Sequence, residues 1–161
     1  MKLKLIHIPV FFIVTFVLSE LLIGQSFMYW DSNFNPITLA SITSKDQVSE
    51  GESTVQLNLN GDAEISADNS SAAQLSSATD TLFTEYKLTF DGAGIRKTGG
   101  PGTDYQPYDQ FLTTPASVIY KNNDDKCQVT LHIRASSYSN DVPDTGTYTA
   151  TQTLTVHWLG P

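Results

Sequence analysis

Lysine, arginine and glutamate are scarce in these 161 residues: Lys+Arg number 9, and charged residues of all kinds make up 16%. Such residues line the solvent faces of helices. Their scarcity turns the reading toward strands and turns, where the abundant Thr, Ser, Asn and Asp belong. There is one cysteine, Cys127, which excludes an intramolecular disulfide framework and any multi-cysteine zinc site. Positive charge is outweighed by Asp+Glu 17, for a formal net charge of −8. That balance argues against nucleic acid, whose phosphates select basic surfaces, and against docking on an anionic lipid face. A disordered acidic tail is also excluded, because hydrophobic residues reach 40% and aromatics 11%. The length suits one globular domain.

Catalytic patterns are missing as well. Serines abound, but no Gly-x-Ser-x-Gly elbow exists to expose a nucleophile. Gly92–Gly102 is rich in glycine, yet Lys97-Thr98 precedes Gly99 rather than following it, so it is no phosphate loop. Asp31, Asn33 and Asn35 imitate the start of a calcium loop, but Pro36 stands where Gly is needed and Ile42 where Glu is needed. His132 and His157 share the polar parity of their strands and would make a metal pair only if those strands were neighbours. No catalytic residue, cofactor or metal ligand is assigned.

What is present begins with an address. Residues 1–26 read as a secretory signal: Lys2 and Lys4, an apolar run from Leu5 to Leu18, then Gly24-Gln25-Ser26, with cleavage after Ser26. The run is about 14 residues long before Ser19-Glu20 interrupts it, short against the ~20 of a spanning helix. This favours a cleaved leader over an uncleaved anchor. Removing it takes Lys2, Lys4 and Glu20 away, leaving a slightly more acidic exported chain with no stable membrane anchor.

Beyond the leader, polarity switches every second residue. In 127–136, Cys127, Val129, Leu131, Ile133 and Ala135 share one face, and Gln128, Thr130, His132, Arg134 and Ser136 the other. Toward the end, Tyr148, Ala150, Leu154, Val156 and Trp158 alternate with a row of threonines from Thr147 to Thr155. Residues 82–90, 54–60 and Ala116–Tyr120 supply further strands, and Asn60-Gly61-Asp62 predicts a tight hairpin turn into a return strand Ala63–Ser66. Residues 67–78 and Gly92–Asp109 read as loops. Short strands separated by turn signals predict an all-β antiparallel sandwich over 49–161, behind an N-terminal extension 27–48.

Asp144-Thr145-Gly146-Thr147-Tyr148 is similar to the tyrosine corner of immunoglobulin-like domains, which gives Gly146 and Tyr148 a structural role. Three stretches also resemble the spore coat protein U-like domain, a secreted, pilin-related β-sandwich family. They are Thr54–Leu59, Tyr86–Gly92 and the closing Gly146–Val156. The resemblance spans roughly 49–158. It implies an immunoglobulin-like, pilin-like sandwich and a non-enzymatic structural subunit at the cell surface or in a filament.

Only one strand follows Tyr148, so a sandwich edge is expected to lie bare. The extension holds Pro36-Ile37-Thr38-Leu39-Ala40-Ser41-Ile42-Thr43, which either donates a strand to a neighbour or pairs within its own subunit. Candidate contact residues are therefore Trp30, Ile37 and Leu39. A second candidate surface is the aromatic loop Tyr105-Gln106-Pro107-Tyr108, with Asp104, Asp109 and Phe111, whose flat rings suit a sugar. Expected partners are other copies of the chain or other cell-surface proteins; the alternative is a monomeric module binding carbohydrate through residues 104–111. Cys127 and Trp158 have inward parity and are expected in the core.

Overall fold

The computed structural model describes residues 26–90, 98–99, 104–120, 125–138 and 142–160. The expected leader up to Gln25, most of the glycine-rich loop and the turn at 122–124 lie outside the described residues. Among the described residues no helix is long and apolar enough to cross a membrane.

The chain is all-β and antiparallel. Its strands are β1 (Met28–Trp30), β2 (Val48–Leu59), β3 (Asp62–Ala67), β4 (Phe83–Phe90), β5 (Thr98–Gly99), β6 (Gln106–Pro107), β7 (Ala116–Val118), β8 (Lys126–Ser136) and β9 (Leu154–Gly160). They form a five-stranded sheet in the order β1-β2-β8-β4-β6 and a four-stranded sheet in the order β5-β7-β3-β9. One short 3-10 turn, Ser71–Ala73, interrupts the link from β3 to β4.

Alternation decides which face of each strand is dry. In β8, Cys127, Val129, Leu131, Ile133 and Ala135 are all buried while the residues between them are not. Leu57 and Leu59 of β2 and Tyr86 and Leu88 of β4 join them from the same sheet. Ala63 and Ile65 of β3 and Ala116 and Val118 of β7 face them from the other sheet, in one cluster. Burying each Leu or Val side chain contributes roughly 1.5–3 kcal/mol, so this layer supplies the main drive to fold.

The expected hairpin at Asn60-Gly61 is a correction. β2 pairs with β1 and β8, and β3 pairs with β7 and β9, so the two strands sit in different sheets. The turn carries the chain from one layer to the other. Gly61 is required for a reason of space: a Cβ there would overlap the Gly160 carbonyl oxygen and the Trp158 ring.

The final segment keeps the expected parity over a shorter strand. From Thr147 to Leu159 the odd residues are exposed and the even ones half-buried, yet β9 begins only at Leu154. Upstream, Thr149 exchanges two backbone hydrogen bonds with Ser76, and the Thr151 N–H donates to the Ala72 carbonyl. The stretch read as a loop at 92–109 also yields two short strands, β5 and β6.

Candidate functional site

Three features hold the residues singled out from the sequence. The first is the outer face of the five-stranded sheet. Register aligns Glu50 of β2, Arg134 of β8 and Glu85 of β4 in one row. The next row is Glu52, His132 and Lys87, and the third is Thr54, Thr130 and Thr89. Opposite charges across neighbouring strands attract, and the contacts follow from this placement. Arg134 donates from both Nε and a terminal nitrogen to Glu85 Oε2, each at 2.8 Å. His132 Nδ1 lies 3.1 Å from Glu52 Oε2, and its Nε2 lies 2.7 Å from the Thr89 hydroxyl. With Nδ1 protonated toward the carboxylate, Nε2 accepts from Thr89. Burial, aided by Lys87, holds the imidazole below its ordinary pKa against the pull of Glu52 and Glu50.

Tyr105 lies across these rows. Its ring centroid is 4.2 Å from the Arg134 guanidinium carbon and 4.5 Å from Lys87 Nζ. Burial first, then the Glu50 charge, raises its phenol above the ordinary value. Glu50, Gly51, Glu52, Tyr105 and His132 line a shallow cleft of about 230 Å³. Carboxylates, an imidazole and a phenol are hydrogen-bonding partners for a polyol.

The other aromatics of that loop turn inward, which corrects the picture of several rings presented together. Phe111 is fully buried with its centroid 5.6 Å from that of Tyr86, and Tyr108 packs half-buried on the core. To bring both Phe111 and Leu112 inside, the backbone takes φ 52° at Leu112, a left-handed conformation costing on the order of 1 kcal/mol.

The second feature is the extension. Met28–Trp30 pairs with Leu57–Leu59 of the same chain, and Trp30 stands half-buried, 5.8 Å from Phe34. Past Asp31, whose N–H donates to the Gln56 carbonyl, the arm leaves the edge of β2. Ile37 and Leu39 then lie over the inner face of β2, where a Cβ on Gly51 would meet Ile37 Cγ2 at 2.5 Å and Leu39 Cδ2 at 2.8 Å. Among the described residues, 33–42 make no backbone-to-backbone hydrogen bond. The arm is held by side chains. Gly51 lies upstream of the strand read at 54–60 and was missed; once β2 is seen to start at Val48, an isolated glycine inside a strand is the signal of such a close approach.

The third feature is the corner. Gly146 is exposed, and the Tyr148 hydroxyl lies 2.9 Å from both the Asp144 carbonyl oxygen and Asp80 Oδ2. Asp80 also accepts from the N–H groups of Asp144 and Thr81. These donors, Asp144 foremost, hold its carboxyl below the ordinary value. Nothing in the sequence around Asp80 marks it for this role.

His132 and His157 are in different sheets, on β8 and β9, and do not form a pair. Cys127 is fully buried in the core. No protein-family model, curated protein or solved structure matches the chain.

Proposed function

We propose that the chain is a secreted, non-enzymatic structural subunit of a cell-surface layer or filament, assembling by β-strand addition. The observation that carries this reading is the position of β9. It borders only β3, so among the described residues its outer side has no strand beside it. A row of unmet backbone donors and acceptors is a template for another chain. The leader-type N-terminus supports export, and the Gly146–Tyr148 corner before the last strand supports an immunoglobulin-like arrangement of the strands. Negative-stain imaging with size analysis of material from the native cell surface tests it. Polymers or a regular layer containing the chain are expected; its recovery solely as cytosolic monomer overturns the proposal.

The cleft beside Tyr105 favours a second reading, a monomeric carbohydrate-binding module. A glycan array with wild type and Tyr105→Ala separates the two. Binding that the substitution abolishes, in a protein that stays monomeric, selects the module.

A further inference from the structure

Resting on the strand-addition reading, we infer that the partner at β9 is the same edge of a second copy, paired antiparallel about a two-fold axis. The backbone sets the terms. Thr149, Thr151 and Thr153 direct their backbone groups to Ser76, Ala72 and Asp68. The register continues through Thr155 opposite Ser66 and His157 opposite Glu64. Strand groups alternate in direction, so Leu154, Val156 and Trp158 of β9 turn theirs to the open side.

Among the described residues, that edge carries little of the usual protection from Leu154 to Trp158. Natural edges are guarded by charge, proline or bulges. Here no Asp, Glu, Lys or Arg occurs from Thr145 to Pro161, and no proline before Pro161, in a chain of net charge −8. Two copies repel over most of their surface and meet without charge repulsion here. The one register irregularity of β9 is at its far end, near Gly160.

Two-fold pairing also matches the faces. Residue i meets a residue of the same parity, so threonine opposes threonine outside, while Leu154, Val156 and Trp158 oppose one another inside. Those three are only half-buried in the single chain and gain cover from the partner. The extension is the competing occupant. In its own subunit it is already engaged, through β1 on β2 and Ile37 and Leu39 on Gly51. The resulting dimer joins two four-stranded sheets into one of eight, and a layer or filament grows from it through a second contact.

The test uses the full chain, Thr153→Glu/Thr155→Glu, and Thr153→Lys/Thr155→Lys. All these threonines are exposed, so the single chain tolerates the changes. Because an edge contact is smaller than a standard interface, sedimentation is followed up to about 0.1 mM. Wild type is expected at twice the monomer mass, each charged variant weakened at least about tenfold, and an equimolar mixture of the two restored to the dimer. Circular dichroism checks the fold. Single cysteines placed in turn at 151, 153 and 155 give an independent reading, since those near the axis oxidise to a linked dimer. Monomeric wild type, or charged variants with wild-type mass and no cysteine cross-link, overturns the inference. If polymers persist in the charged variants, strand addition stands and runs through another edge.

Discussion

The Tyr148 hydroxyl lies 2.9 Å from Asp80 Oδ2, across 68 residues of sequence. This contact ties the turn before the last strand to the loop that opens β4. It makes the entry to β9 dependent on a residue outside the corner. Replacing Tyr148 by Phe removes the hydroxyl and leaves Asp80 with its two N–H donors. A lower thermal midpoint and faster hydrogen exchange at 144–153 are expected, with β8 unchanged. Equal exchange in both proteins would show that the corner stands without this bond.

Asp80 also predicts an acid response. Its folded pKa is below the 3.8 of a free carboxyl, so the ionised group favours the folded chain. That contribution is complete above the unfolded value and is lost as pH falls through it toward the folded one. Thermal melts from pH 7 down to 2.5 are expected to show a drop below about pH 4 that Asp80→Asn reduces. An identical pH profile for the variant would remove Asp80 from the account.

Gly61 and Gly51 predict opposite kinds of damage. A methyl group at Gly61 meets backbone, the Gly160 carbonyl, together with the Trp158 ring. Neither moves without shifting the end of β9, so Gly61→Ala is expected to cost roughly 1–3 kcal/mol in a denaturant titration, with altered Trp fluorescence. At Gly51 the neighbours are the tips of Ile37 and Leu39, which can swing away. Gly51→Ala is expected to leave the global midpoint within about 1 kcal/mol and to make 33–43 more sensitive to protease. A large global loss at Gly51 would mean the arm is integral to the core.

Strand faces were legible in the sequence because parity is a local property. Cys127 through Ala135 could be sorted into buried and exposed from one decapeptide. The rows on the outer face were not legible. His132 meets Glu52 and Thr89 only through registers joining segments some 40 to 80 residues apart, and no single stretch encodes that sum. Asn60-Gly61 announced a sharp turn correctly, but the same dipeptide serves a hairpin or a step between layers. Trp158, packed at Gly61 nearly a hundred residues later, makes it the step. Phe111 sits in a segment with no periodicity, so its inward direction had no pattern to reveal it.

His132 separates two electrostatic effects that pull in opposite directions. Glu52, 3.1 Å from Nδ1, favours the charged ring; burial and Lys87 oppose it and prevail, so the folded pKa lies below 6.5. The unfolded chain therefore takes up the proton first as pH falls. Stability from this group is complete above about 6.5, declines as pH drops toward the folded value, and is flat below it. Urea midpoints at pH 8, 7, 6 and 5 are expected to fall in wild type, with a shallower fall in His132→Gln over the same interval. Glu52→Gln removes the attraction that opposes burial, so it is expected to steepen the fall. If wild type gains stability between pH 7 and 5, and loses that gain in Glu52→Gln, the ion pair outweighs burial and the outer face is held together by its charges.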